Sequence, residues 1–387
     1  MGSFGASVGG AGGAAGGGAG GGAGGGAGGG AGGGAGGGAE FGGNAGFGSA
    51  PATLVDAFAN FSAVEALGRS REGICDPANI ASFAHVEPPK IGAGESILRW
   101  DPWVRNYVLQ LELLQFSFEP ADRGLTLLHH QKPLITLIRP TGDQFRAQIP
   151  DVLSYAALRQ DRTAEALWQI DGQWPFWGTL LPTRLAAIPT TQEIVTAVTQ
   201  MAVFVEMRFK HEFACARPVN YSAQVQPMLT TPGHGTFPMG HSTQIFAVGR
   251  VLKELLRQSI GHVPPDLSDQ MDRLSLRMSE NRIVAGVHFP LDMWAGVGLG
   301  VALGNYAVAR FNSTDPFVPE FPKIDASDTF TEDVARAWLK EINVDLSKSN
   351  YEEHAERPAA SGPALLRRVW DKAKEELHRG LWLGEGK

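Results

Sequence analysis

The stretch MDRLSLRMSENRIVAGVHFPLD, Met271 to Asp292, decides the fold, because two helices meet in it. Met271, Leu274 and Met278 recur at the spacing of one helical face. Carried one turn further, the same stripe lands on Arg282 and puts a guanidinium on the apolar side. An unpaired buried charge is costly, so Arg282 needs a partner: a carboxylate from elsewhere in the fold, or an anion that is not part of the chain. The pattern predicts a helix over roughly Leu267 to Ala285. Pro290 suits the first turn of the next helix, where a backbone N–H is unpaired in any case. Asp292, four residues beyond His288, is spaced to accept a hydrogen bond from one imidazole nitrogen. The other nitrogen is then left as a nucleophile or metal ligand.

Helical periodicity extends outward from there. Upstream, Thr190-x-x-Glu193 after Pro189 reads as a capping box opening a helix to about Lys210, with Ile194, Val198, Met201 and Val205 inward. Another helix is expected from about Ser242 to Gln258, with Ile245, Val248, Leu252 and Leu255 inward and Gly261 just past its end. Further helices are expected near Ser96–Phe118, Ile149–Ile170, Thr331–Ile342 and Pro363–His378, and loops at Phe118–Gln148 and Pro316–Ile324. Strand-like alternation is scarce, so the expected fold class is all-α. Met293 to Ala309 is nearly unbroken apolar sequence, but a membrane helix needs about twenty such residues and no companion span precedes it. A buried core helix is expected. Its glycines, Gly296 to Gly304, follow no strand, so they fit close helix packing rather than a dinucleotide loop.

The first fifty residues hold 28 of the 50 glycines, mainly as a Gly-Gly-Gly-Ala repeat from about Gly16 to Ala39. With no apolar surface to offset the entropy of ordering, residues 1–49 are expected to form a flexible tail. Residues 50–387 are long for one core, which suggests two packed sub-bundles in one domain. A net charge of −7 and the lack of a Lys/Arg run argue against a nucleic-acid surface. Cys75 and Cys215 form no framework and no C-x-x-C. No secretory pattern opens the chain, so a cytoplasmic location is expected.

Three segments carry groups suited to an oxyanion. In Lys210-His211-Glu212-Phe213-Ala214-Cys215-Ala216-Arg217-Pro218, an ammonium and a guanidinium fork lie close in sequence. Pro238-Met239-Gly240-His241 precedes a helix, where Gly allows close backbone approach and free N–H groups attract anions. His241 has the near-neutral pKa of a general acid or base. The third segment contains Arg282, His288 and Asp292. Taken singly, the first is an ordinary solvated helix end and the second an ordinary Gly-His cap.

Together the three are more specific. K-x6-R-P, P-x-G-H and R-x5-H-x3-D, in this order, resemble the signature shared by vanadium-dependent haloperoxidases and type 2 phosphatidic acid phosphatases, and the wording is similar to the soluble bacterial haloperoxidase-like branch. The resemblance implies a helical-bundle fold with an oxyanion site within residues 204–296, no membrane span, and vanadate as cofactor, for which phosphate substitutes. It implies that His288 is the covalent ligand to vanadium, or the phosphorylated residue in a phosphatase, and that Asp292 orients it. Lys210, Arg217 and Arg282 would neutralise the oxygens with the Gly240 N–H, and His241 would move a proton at the apical oxygen. Hydrogen peroxide, polarised by Lys210, would oxidise a halide that then halogenates a small organic acceptor. His234, seven residues before His241, stands where bromide-active members carry a second His, which points to bromide or iodide. A homo-oligomer is compatible with the resemblance.

Two positions depart from the family pattern. Met239 replaces the usual Ser, whose hydroxyl donates to an oxyanion oxygen, and a thioether donates nothing. Asn281 replaces the Ser that commonly precedes the Arg. Two other readings therefore stand beside the haloperoxidase: a soluble acid phosphatase acting through a phosphohistidine at His288, and a degenerate site that only binds phosphate. His211-Glu212 is not a zinc-protease motif, because the fifth position is Cys215. His129-His130 lacks partners at metal spacing.

Overall fold

The computed structural model describes residues 95–170, 172–181, 183–314 and 364–381, with a few helical residues between 65 and 74. The Gly-rich tail, Cys75, the helix expected at Thr331–Ile342 and the loop expected at Pro316–Ile324 lie outside the described residues.

The fold is mostly helical, with one small sheet. After a 3-10 turn at Glu95–Arg99 come helix α1 (Pro102–Leu113), strands β1 (Ser117–Ala121), β2 (Gly124–His129) and β3 (Lys132–Ile138), and short helices α2 (Gly142–Ala147), α3 (Ile149–Tyr155), α4 (Arg159–Trp168) and α5 (Trp174–Gly178). The long helices follow: α6 (Pro189–Phe213), then the single turn α7 (Pro218–Tyr221), α8 (Gly240–Ile260), α9 (Pro265–Val284), α10 (Pro290–Asn312) and α11 (Ala364–Gly380).

The three strands correct the reading of Phe118–Gln148 as loop. They form an antiparallel meander in the order β1-β2-β3. Leu125 and Leu127 are buried, while Thr126 between them hydrogen-bonds Thr136 across the sheet at 2.8 Å. The hairpin signal was hidden because the turns lack the usual Gly or Asn. Arg123, His130 and Gln131 take the left-handed conformation those tight turns require. The sheet lies against α10, where Phe116 and His129 pack on Tyr306.

Three helix expectations also change. Pro102 starts α1 after the 3-10 turn, so Ser96–Phe118 is not one helix. Ile149–Ile170 is interrupted by a 3-10 turn at Ala156–Leu158. The capping box at Thr190 does not form, because α6 already begins at Pro189. The Thr190 N–H and hydroxyl instead donate to Glu376 of α11 (2.7 and 2.6 Å), and Glu193 accepts both forks of buried Arg105 from α1 at 2.5 Å. Tertiary pairing has taken both groups from the local cap.

Helices α8 and α10 form the centre. Gly296, Gly300 and Gly304 face α8 so closely that a Cβ would come within 2.5 Å of Met239 O, Thr243 O and Arg250 Cβ respectively. This close crossing brings the first turn of α8 beside the first turn of α10, and the Met239 N–H donates to the Asp292 carbonyl at 2.8 Å. Helices α6, α9 and α11 pack around the pair. Buried apolar side chains from Ile97 to Leu381 form one continuous core instead of two. Helix α8 ends at Gly261 in the left-handed conformation, as its sequence predicts. Among the described residues no helix is long and apolar enough to cross a membrane, and α10 is buried along nearly its whole length.

Candidate oxyanion site

Helices α6, α8, α9 and α10 each contribute an end to one buried region. Lys210 comes from the last turn of α6, Arg217 from the residue before α7, and Gly240 and His241 from the start of α8. Arg282 comes from the last turn of α9, His288 from the loop before α10, and Asp292 from the first turn of α10. All these side chains are buried, Lys210, Arg217 and Arg282 at 2–3% exposure.

His288 is held from both sides. Its Nδ1 lies 3.1 Å from Asp292 Oδ2, and its Nε2 lies 2.9 Å from an Arg217 NH1. A guanidinium nitrogen can only donate, so Nε2 carries the lone pair and Nδ1 carries the proton. The Asp292 Oδ2 also accepts from the Thr236 hydroxyl (2.5 Å) and the Phe289 N–H (2.8 Å). The ring is thereby locked with an unprotonated nitrogen turned towards a cation. Burial first, and then the Arg217 and Lys210 charges, hold His288 well below the ordinary histidine pKa. Burial raises the Asp292 carboxyl to about 6 against the hydrogen bonds and cations that favour its charge.

The three cations have no carboxylate in ion-pair contact among the described residues. Lys210 Nζ donates to the carbonyls of Gly235 and Thr236 (3.3 and 3.2 Å). Arg217 donates to the carbonyls of His234, Gly235 and Val287 and to His234 Nδ1 at 3.1 Å. Arg282 donates to the Ala166 carbonyl and to Gln169 Oε1, and its buried Nε has no partner. Burial pulls both arginines down to about 10 and moves Lys210 well below the usual lysine range. The buried guanidinium that the stripe from Met271 demanded is thus in place, without the protein carboxylate that was one of its two expected partners.

His241 donates from Nε2 to the Gln169 carbonyl at 3.0 Å, which leaves Nδ1 as its lone-pair nitrogen. Burial, then Arg282, Lys210 and Arg217, keep its pKa well below the usual value. Those effects tie the Arg282–His241 half of the site to the Lys210–Arg217–His288 half. His234 Nδ1 lies 3.1 Å from both an Arg217 nitrogen, which can only donate, and the Gly235 carbonyl, which can only accept, and its buried Nε2 has no partner among the described residues. Burial and Lys210 lower its pKa to about 4.

Met239 is fully buried, and its sulfur accepts from the Ser242 hydroxyl at 2.9 Å. Asn281 donates to Gln169 Oε1 at 3.0 Å, so it braces the residue that also holds Arg282 and His241.

Sequence reasoning missed three residues. Thr236, in the loop just before the second segment, braces Asp292. Gln169, at the end of α4, has no sequence pattern to mark it. Glu206 lies one turn before Lys210 on the same helix, a spacing that could have flagged it. Its Oε1 accepts from Gln244 at 3.2 Å, while its buried Oε2 has no partner. A Cβ at position 240 would run into the Glu206 carboxyl group, so α8 begins with a glycine directly against it.

Among the described residues no three His, Cys, Asp or Glu side chains converge to hold a cation. The donor set is instead one of buried cations, N–H groups and imidazoles, which suits a tetrahedral oxyanion. The chain matches no protein-family model and no curated protein.

Proposed function

We propose that this site binds an oxyanion against His288 Nε2, and that the chain is a vanadate-dependent haloperoxidase-like enzyme. One observation carries the reading. An imidazole fixed by Asp292 presents an unprotonated nitrogen beside buried cations that make no ion-pair contact with a carboxylate among the described residues. The group fits these residues: Lys210, Arg217 and Arg282 balance its charge, the unpartnered Arg282 Nε offers a donor, and the start of α8 offers N–H groups.

The chain's own part in the chemistry follows from the hydrogen bonds. Asp292 keeps the proton on His288 Nδ1 and so keeps Nε2 available. His241, with a free Nδ1, can take a proton from an oxygen near Arg282 and return it. His234, whose buried Nε2 has no partner among the described residues, is the group on the halide side of the site, for bromide or iodide. Bound vanadate supplies Lewis acidity towards hydrogen peroxide with no change in its own oxidation state. Overall, hydrogen peroxide, a halide and a proton give a hypohalous acid and water, and the hypohalous acid halogenates a small organic acceptor.

The same unprotonated Nε2 suits nucleophilic attack on phosphorus, so a phosphatase acting through a phosphohistidine at His288 is the second reading. The missing hydroxyl at Met239 favours the third, a site that binds phosphate without turnover. Bromination of a dimedone-type acceptor with orthovanadate and hydrogen peroxide tests the first. Turnover that requires vanadate and disappears in His288→Ala supports the haloperoxidase. Phosphatase activity that vanadate abolishes, with no bromination, replaces it with the second reading, and anion binding with neither activity replaces it with the third.

A further inference from the structure

Besides Asp292, which is engaged by His288, the site holds one other carboxyl group, Glu206, and as a carboxylate it works against an anion. It is buried beside Gly240, one turn from Lys210, in a position where a carboxylate would repel any oxyanion held at the start of α8. Yet Oε2 has no hydrogen-bond partner among the described residues. An ionised oxygen buried without a donor is costly, whereas a protonated one is a donor awaiting an acceptor. Position 239 offers no donor, because Met carries only a thioether, whose sulfur accepts from Ser242.

We propose that the carboxyl group of Glu206 supplies the missing hydroxyl: as the neutral acid it donates its O–H to the bound oxyanion, so that anion binding takes up a proton from solvent at Glu206. This inference rests on the anion-site reading above and names how the site accepts its ligand. Proton and charge balance, since the ionised carboxylate plus one solvent proton gives the neutral acid that donates.

The surroundings support it. Burial raises the Glu206 pKa to about 7, against the charges of Lys210 on its own helix and Arg217 before α7 and the hydrogen bond from Gln244 on α8. His234 in the loop before α8, His241 on α8, Arg282 on α9, and His288 and Asp292 at the start of α10 are the other charged or titratable groups of the site. None of them is a hydrogen-bond partner of Glu206. Glu206 and Lys210 both have pKa values moved towards neutrality, so without a ligand they hold close to one proton between them. An arriving dianion favours the state with both groups protonated.

Sulfate is the probe, because it does not change its own protonation near neutral pH. The full-length protein is titrated at about pH 8, above the Glu206 pKa, where the unliganded carboxyl is ionised. The expected result is sulfate binding with proton uptake, read by calorimetry in two buffers of different ionisation enthalpy. The infrared difference spectrum gains the carbonyl band of a protonated carboxyl, and Glu206→Gln lacks that band. Glu206→Gln, which keeps a neutral donor, binds sulfate at least about tenfold more tightly than Glu206→Ala, the worth of one hydrogen bond to a charged group. Sulfate binding by the wild type without the carboxyl band overturns the proposal, with or without proton uptake, since Lys210 could take the proton instead; this holds even if the variants do not fold, and it leaves the anion site standing. Equal affinity of the two variants does the same. No sulfate binding by the wild type or by Glu206→Gln at any pH overturns the anion-site reading and this proposal with it.

Discussion

Replacing Asp292 separates its structural role from its role in setting the His288 ring. Oδ2 accepts three hydrogen bonds from buried donors, the Phe289 N–H, the Thr236 hydroxyl and His288 Nδ1. Asp292→Ala strands all three, at about 1–3 kcal/mol each. Part of this is returned, because the buried carboxylate, raised from 3.8 to about 6, itself costs about 3 kcal/mol when ionised at neutral pH. The net loss of stability is about 3 kcal/mol. Asp292→Asn behaves differently, since its carbonyl oxygen can replace Oδ2 and its NH2 falls where Oδ1 has no partner. It keeps all three bonds and stays within about 1–2 kcal/mol of the wild type. Both variants lose the negative charge that supports the imidazole, so vanadate affinity falls about 10- to 100-fold in each. Urea unfolding and vanadate titration measure the two effects separately. Wild-type vanadate affinity in a folded Asp292→Asn would refute the argument that this carboxylate prepares His288.

Gly300→Ala forces a Cβ to 2.5 Å from the Thr243 carbonyl oxygen and 2.8 Å from Phe246 Cβ, so thermal unfolding should show a loss of at least about 1–3 kcal/mol. Gly233→Ala, with nothing within 4 Å of the new methyl, should leave the melting temperature unchanged. The His234 pKa is depressed from 6.5 to about 4, so its contribution to stability is complete above pH 6.5 and is lost as pH falls towards 4. Unfolding free energy should decline across that window and decline less steeply in His234→Asn. Met239→Ser restores a hydroxyl at the start of α8 but empties a fully buried site. Vanadate should bind about tenfold or more tightly while stability falls by about 2–5 kcal/mol, so calorimetry and thermal melts should move in opposite directions.

Much of the architecture was legible because its signals are periodic. The stripe from Met271 placed α9 and forced Arg282 inward, and Pro290 and Gly261 marked helix ends where the structure has them. Gly296, Gly300 and Gly304 were read as a close helix contact, and α8 lies against them. The meander escaped because its turns are built from Arg123, His130 and Gln131 in a backbone conformation that their side chains do not advertise. The cap at Thr190 failed because Glu376 and Arg105, both distant in sequence, bind its two groups more effectively than they bind each other.

For the candidate site, the eight residues named from the motifs and the family resemblance are all brought to one region, although its anion-binding role is a proposal. What spacing could not supply was the set of groups between them. Gln169 reaches the site through a carbonyl and an amide from the end of a short helix, and no residue pattern encodes that. Glu206 was hidden in plain view: an i, i+4 partner of Lys210 reads as a surface pair until the packing of Gly240 shows that both are buried.

The most direct test of the account is a crystal structure of the protein soaked with orthovanadate. The account predicts density bonded to His288 Nε2, with Arg217 released from that nitrogen and Lys210, Arg217 and Arg282 directed at the oxygens. Density elsewhere, or a vanadate-free site in which Arg217 still donates to His288 Nε2 at saturating vanadate, would contradict it.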